Sequence, residues 1–351
     1  MELAVVIPTL NSSSNLPLLL ESLLRQSDRE FAVVVADDPL SKDDTESVVR
    51  AYADRLAVRY IMAEETGISA ARNRGILAID SDIDCFVDSD CVADENWIKR
   101  TRECWGNLED NSAGLRGKVL PKTTGFWTEL LCNGVYVSEI HRGGGDNISY
   151  RRKALLDVGL FDPMLTLNED GDLAGRVRKE GYRIEYDDKI VVYHDYGFTI
   201  ERFFKREVKF GRGFYMLWEK TKDPGTIAPV LFGFSAFLFI LISFLSGTLF
   251  LLFSLIALPT AAILYYRRYI RYFLRRKSVA YVPVLLALYL LKNICNTVGF
   301  LIQLTRSLQK ECNPSCTVPS TNAARAVNKA DCGKRSHELA DLHRVIEHFS
   351  S

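Results

Sequence analysis

Up to about residue 222, apolar positions fall into short continuous runs that alternate with stretches carrying apolar residues at helical spacing. Residues 3–8 and 31–36 are continuous apolar runs, the signature of strands buried on both faces. The first ends at a turn and the second is followed at once by acidic residues. Residues 15–26, 45–52 and 68–78 read as helices, and residues 57–63, 85–87 and 189–193 as further strands. This alternation predicts an α/β domain whose parallel sheet is covered on both faces. Ligands in such sheets bind at the carboxyl ends of the strands. Asp37 and Asp88 fall at those ends.

The pattern changes at Pro224. Residues 228–266 are almost wholly apolar and carry no charge, about twice the ~20 residues that one membrane-spanning helix needs. Gly247 divides the run into two expected helices, near 228–246 and 248–266. Arginine and lysine crowd residues 267–277, and basic loops stay on the cytoplasmic side. A helical hairpin that leaves and re-enters the cytosol satisfies both features. A third apolar stretch, 279–304, is read as a further span, with an interfacial segment as the alternative. Its cluster of Lys292, Asn293 and Asn296 would be costly in lipid. The resulting organisation is a catalytic domain over 1–222, a membrane region over 223–305 and a polar tail over 306–351. Cys312, Cys316, Cys332 and His337 in and near that tail have poor spacing for a zinc site.

Charge adds little to this outline. The chain holds 44 basic and 44 acidic residues, so nothing global points to nucleic acid. Cys85, Cys91, Cys104 and Cys132 show no paired spacing and read as free thiols in a reducing compartment. Met1-Glu2-Leu3 lacks a basic leader and Pro8 interrupts the first apolar run. The first domain is therefore expected to be cytoplasmic and the protein a multi-pass membrane protein.

The candidate chemistry centres on Asp88-Ser89-Asp90. Two carboxylates one residue apart at a strand end can share the work of accepting from a ribose hydroxyl and ligating Mg²⁺ or Mn²⁺. Alone, Asp-x-Asp also describes acidic residues in a solvated turn. Around it stand a second acidic pair, Asp37-Asp38, and the segment Gly67-Ile68-Ser69-Ala70-Ala71-Arg72-Asn73-Arg74-Gly75. In the latter, Arg72 is a candidate to face phosphate. Further on, Gly143-Gly144-Gly145-Asp146-Asn147 permits close backbone approach to a ligand. Asn168 reads as a helix N-cap, placing Glu169 and Asp170 in a first helical turn where the dipole favours ionised carboxylates. His194 ends a strand and is a candidate metal ligand; Arg152 and Arg212 are candidates for contact with a diphosphate or an acceptor.

Taken in order, these motifs resemble glycosyltransferase family 2, whose members are inverting enzymes with the GT-A fold. The resemblance starts at Val5-Val6-Ile7-Pro8-Thr9-Leu10-Asn11 and runs through Asp37-Asp38, Gly67 to Gly75 and Asp88-Ser89-Asp90. It continues in Asn147 to Arg152, Gly159-Leu160-Phe161-Asp162, Glu169-Asp170 and Gly181-Tyr182-Arg183-Ile184. It implies a mixed, mainly parallel sheet, a nucleotide-sugar donor and a divalent cation, Mg²⁺ or Mn²⁺. Pro8, Asn11, Asp37, Asp38, Arg72, Asp88 and Asn147 would bind the nucleotide-sugar. Asp88, Asp90 and His194 would hold the metal, and Asp170 would be the general base with Glu169 beside it. Two departures stand out. The usual Asp-Asp-Gly-Ser turn is Asp37-Asp38-Pro39-Leu40-Ser41, with one extra residue before Asp43-Asp44, which leaves the base contact open. The Gln-x-x-Arg-Trp element of processive synthases is absent, so transfer of one sugar is expected.

The apolar hairpin makes a membrane-borne, polyisoprenyl-linked glycan the expected acceptor. The rival readings are a polyisoprenyl-phosphate sugar synthase, a nucleotidyltransferase and a membrane scaffold with a degenerate transferase domain.

Overall fold

The computed structural model describes residues 1–123, 125–131, 144–165, 167–195, 199–245, 259–267, 270–271, 273–274 and 279–312. The expected helix near 248–266 falls partly outside these residues, and Cys316, Cys332, His337 and the rest of the tail beyond Cys312 lie wholly outside them. The chain forms two compact units: Met1–Phe198 with Arg267–Tyr281, and Thr199–Tyr266 with Val282–Ser351.

The first unit is built on an eight-stranded sheet. Its strands are β1 (Leu3–Thr9), β2 (Phe31–Asp37), β3 (Val58–Met62), β4 (Ile83–Phe86), β5 (Cys91–Ala93), β6 (Ser112–Pro121), β7 (Ile148–Arg151) and β8 (Arg183–His194). Their spatial order is β3-β2-β1-β4-β7-β6-β8-β5. β3, β2, β1 and β4 are mutually parallel; β7 runs antiparallel to β4 and β6, β8 is parallel to β6, and β5 is antiparallel to β8. This is the mixed sheet that the family resemblance implies.

Alternate residues of the central strands face opposite layers. Val5, Ile7, Val33 and Val35 pack in one core with α1 (Leu16–Leu24) and α4 (Trp97–Asn107). Val6 and Phe86 pack in the other core with α3 (Ile68–Ala78) and α7 (Glu169–Lys179), through Ile76, Leu173 and Val177. α1 has no side-chain cap, but Leu16, Leu19, Leu20 and Leu23 are fully buried. At about 1.5–3 kcal/mol per buried leucine, packing outweighs the ~1 kcal/mol of a missing cap. Gly75 lets α3 lie close on the sheet: a Cβ there would stand 2.4 Å from Val6 Cγ1.

Three further helices of this unit are short: α2 (Thr45–Arg50), α5 (Phe126–Leu130) and α6 (Arg152–Asp157). Asn168 precedes α7 in the left-handed region (φ 59°), a conformation asparagine tolerates. Its side chain does not cap the helix as expected; its carbonyl accepts from Asp172 N at 3.0 Å.

The second unit contains α8 (Ile200–Thr221), α9 (Ala228–Leu245) and α10 (Val282–Cys312). Among the described residues, two stretches are long and apolar enough to cross a bilayer, Pro224–Ile242 and Val279–Gln309. Asn293, Asn296 and Thr297 of α10 have partners on neighbouring helices. Thr297 donates to Val230 O at 2.9 Å, Asn293 donates to the Tyr266 hydroxyl, and Asn296 donates to Glu207 Oε2 at 3.2 Å. Such interhelical bonds offset the cost of polar groups in an apolar bundle. Glycines bring the helices together: a Cβ on Gly211 would stand 2.0 Å from Asn296 O, and one on Gly299 1.9 Å from Val208 O.

Candidate functional site

The parallel strands end along one edge, and the acidic motifs lie just beyond them. Asp37, the last residue of β2, pairs in register with Thr9, the last of β1. Its carboxylate is buried and accepts from Thr9 Oγ1 at 2.8 Å and from the Tyr60 hydroxyl at 3.0 Å. Asp38 accepts from Leu40 N at 2.9 Å and Gly67 N at 2.6 Å, tying the turn after β2 to the start of α3. Asn11 N donates to Ser41 Oγ, and Asn11 Oδ1 accepts from Lys42 N. Pro8 is buried in β1 opposite Ala36.

The extra residue in the turn after β2 is absorbed by a polar staple. Asp43 accepts from Ser13 N at 2.7 Å and Thr45 Oγ1 at 2.6 Å, and Thr45 Oγ1 accepts from Ser12 N. Ser12 Oγ lies 2.9 Å from Ser89 Oγ, in the centre of the acidic motif. Hydrogen bonds from Thr45 and Ser13 outweigh a desolvation cost and hold the Asp43 carboxyl at about 2.

Asp88, Ser89 and Asp90 form the turn between β4 and β5, closed by Cys91 N donating to Asp88 O. β5 then pairs with β8 so that Cys91 stands opposite His194. This register delivers His194 from more than a hundred residues downstream. Its Nε2 lies 3.4 Å from Asp90 Oδ1 and 3.9 Å from Asp88 Oδ2. The backbone reinforces the junction: Asp195 N donates to Asp90 O, and Lys122 N to His194 O. Asp90, Cys91 and His194 bring potential ligand atoms within 4.8 Å of one another.

The electrostatics separate the two carboxylates. Burial would raise both. Around Asp88 it is overcome by the nearby His194 imidazole and by the guanidinium of Arg72, and its pKa falls below the ordinary value. Around Asp90 burial wins, aided by the charge of Asp88, and its pKa rises. Burial disfavours charge on His194, but Asp88, Asp90 and Asp146 outweigh it and lift its pKa.

Arg72 lies fully buried between the motif and α7. Its Nη2 donates to Asp88 Oδ1 at 3.2 Å and its Nη1 to Glu169 Oε1 at 2.7 Å. The Phe161 ring lies 5.3 Å from the guanidinium carbon. Burial raises the Glu169 pKa against the pull of Arg72, with the neighbouring Asp170 charge adding to the rise. Asp170, half-buried beside it, accepts from Gly171 N.

The glycine segment meets arginines. A Cβ on Gly145 would stand 2.0 Å from Arg72 Nη2, and one on Gly144 2.2 Å from Arg116 Nη1. Arg116 was not singled out in the sequence; it pairs with Asp146 at 3.1 Å. Gly143 lies outside the described residues.

Two expected residues of this unit, Asn147 and Arg152, stand apart from this cluster. The Asn147 amide is buried, accepting from Trp97 Nε1 and donating to the Lys118 and Ile190 carbonyls, so it ties the sheet to α4. Arg152 pairs with Asp80 and with Asp84, near the start of β4, while Asp88 lies beyond its other end. Arg212 lies on α8 in the helical unit.

The profile of glycosyl transferase family 2 matches residues 4–157, which hold β1 to β7 and the Asp88-Ser89-Asp90 turn. Over residues 4–157 the chain is similar to that family. A pre-mycofactocin glycosyltransferase from Mycobacterium tuberculosis is 27% identical to this chain over 229 residues, covering 60% of it and 46% of the relative. A glucosyl-dolichyl phosphate glucuronosyltransferase from Haloferax volcanii is 25% identical over 156 residues, covering 40% of the chain and 49% of the relative. The chain spans less than half the length of these curated relatives. A mannosyltransferase from Pyrobaculum calidifontis, solved in complex with GDP-Man and Mn²⁺, superposes with a TM-score of 0.55 at 18% identity. That match covers 84% of this chain and 86% of the other, and it establishes a shared GT-A-like fold.

Proposed function

We propose that this chain is an inverting glycosyltransferase that moves one sugar from a nucleotide-diphosphate sugar to a membrane-associated, polyisoprenyl-linked glycan. The observation that carries the reading is the continuous assembly from His194 and Asp90 through Asp88 and Arg72 to Glu169, with Asp170 next to it. It joins a cation-binding end to a proton-accepting end within one buried network.

Asp88, Asp90 and His194 offer carboxylate oxygens and an imidazole nitrogen, a donor set suited to Mg²⁺ or Mn²⁺. Bound there, such an ion would offset charge on a leaving diphosphate. The Pyrobaculum calidifontis enzyme, which carries Mn²⁺ and GDP-Man, supports this cofactor class. Asp37 and Asp38, with Asn11 and Pro8 alongside, form the wall assigned to the nucleoside. Asp170 accepts the proton of the acceptor hydroxyl as that oxygen bonds to the anomeric carbon. The bond from that carbon to the diphosphate breaks on the opposite face, and nucleoside diphosphate departs. Arg72 holds Glu169 and Asp88 in place during this exchange.

The lipid acceptor rests on the two apolar stretches and on the relative named for a dolichyl phosphate substrate. In this reading residues 1–222 are the catalytic domain on the cytoplasmic side, 223–305 the membrane region and 306–351 a polar tail.

Asp170→Asn tests the mechanism. Turnover should fall by about 10²–10⁴-fold, the usual worth of a general base, while donor binding is retained. Normal turnover by that variant removes Asp170 from the role.

A further inference from the structure

The first unit carries an exposed aromatic surface that the sugar-transfer chemistry does not use. α5 presents Phe126, 53% exposed, and Trp127, with their rings 5.1 Å apart in an edge-on arrangement. Phe126 also lies 6.1 Å from the Tyr281 ring, and Tyr281 6.4 Å from Phe273. The segment bearing Tyr281 belongs to the same compact unit. It buries Ile270 and Phe273 and leaves Arg271, Leu274 and Val279 exposed, Val279 to 71%.

Contiguous exposed apolar groups mark an interaction surface. Two features fix the occupant. Val279 opens the apolar stretch Val279–Gln309, so the patch runs by covalent continuity into a chain long enough to cross a bilayer. The segment that bears Tyr281 also carries Arg267 and Arg271, and aromatic residues together with arginines are the composition of the zone where lipid headgroups meet acyl chains.

We propose that Phe126 and Trp127, with Tyr281, Leu274 and Arg271, form an interfacial anchor that inserts into the headgroup–acyl boundary of an anionic bilayer. The anchor also sets where a lipid-borne acceptor is met, which rests on the membrane-acceptor reading above. β6 ends at Pro121, in register with His194, and α5 begins five residues later. Five residues reach at most about 18 Å. The lipid surface is thereby held within one short connection of the Asp88–Asp90–His194 cluster, a separation that suits a glycan on a lipid anchor.

Tryptophan quenching tests the anchor independently of catalysis. Of the four tryptophans, Trp97 and Trp105 are buried in the core, leaving Trp127 and Trp218 as reporters. The full chain carrying Trp218→Phe is reconstituted into phosphatidylcholine–phosphatidylglycerol vesicles with acyl chains brominated near the headgroup. Strong quenching is expected, and most of it should vanish when Trp127→Phe is added. Bromine-insensitive fluorescence overturns the proposal, whether Trp127 is then open to aqueous iodide or shielded by a second copy of the chain. A failure of the lipid-acceptor reading would instead appear as absent transfer to any lipid-linked sugar with the quenching intact.

Discussion

Arg72 donates to Asp88 at 3.2 Å and to Glu169 at 2.7 Å, so one buried guanidinium links the acidic turn after β4 to the first turn of α7. Arg72→Ala would leave two carboxylates without their shared counter-ion. Removing one partner of a buried ion pair costs about 3–5 kcal/mol, and loss of an outer-shell support typically weakens metal binding by about 10–100-fold. Chemical unfolding of the solubilised chain and Mn²⁺ titration followed by electron paramagnetic resonance would measure both. Unchanged Mn²⁺ affinity would sink the linking role.

Gly145 acts on the same arginine from above. A methyl group there would stand 2.0 Å from Arg72 Nη2, so Gly145→Ala should displace the guanidinium. Its effects on stability and Mn²⁺ affinity should follow those of Arg72→Ala in direction and be smaller. In the double variant they should not add, because both changes break one network. Additive losses would show that Gly145 acts elsewhere.

Asp84 gives stability a pH dependence. Burial lifts its carboxyl from 3.8 to about 6, against the hydrogen bond from Ser81 and the charge of Arg152. The folded chain holds this proton more tightly than the unfolded one. The contribution is therefore complete below about pH 4 and lost as pH rises through about 6, amounting to at most ~3 kcal/mol. Asp84→Asn should flatten this part of the profile, read as unfolding midpoints across pH 4–7. An unchanged slope would assign it to another group.

Gly299 tests the helical unit. Its absent side chain allows α10 to meet the Val208 carbonyl of α8, where a Cβ would stand 1.9 Å away. Backbone cannot yield as a flexible side chain can, so Gly299→Ala should lower stability by about 1–3 kcal/mol. Thermal unfolding in detergent would show the loss. An unaltered midpoint would mean that these helices part without penalty.

The elements legible in the sequence were those whose burial is continuous. β1 and β2 are unbroken apolar runs because parallel strands are covered on both faces, and the pattern over 68–78 matches α3. β6 escaped notice because Gly114, Arg116, Gly117 and Lys118 interrupt its apolar pattern. Arg116 is nevertheless buried, its charge met by Asp146 thirty residues away. Within the site, the acidic residues could be located at strand ends, yet nothing local reveals that Thr9 and Tyr60 hold Asp37 or that Ser12 reaches Ser89. Those partners come from different strands and loops, and only the sheet order brings them together. Arg152 and Asn147 illustrate the converse. Their residue types suit anion and sugar binding, but position along the chain does not reveal that Asp84 faces one and Trp97 the other.

The pairing of Cys91 with His194 also imposes a timetable on synthesis. Asp90 leaves the ribosome 104 residues ahead of His194 (194 − 90). At about 5–20 residues per second, that lead is roughly 5–20 s. β1, β2 and α3 can form from the nascent chain in the meantime. The Asp88–Asp90–His194 cluster cannot exist until β8 has been made and docked, so a chain interrupted before that strand carries the acidic turn without the histidine that closes it.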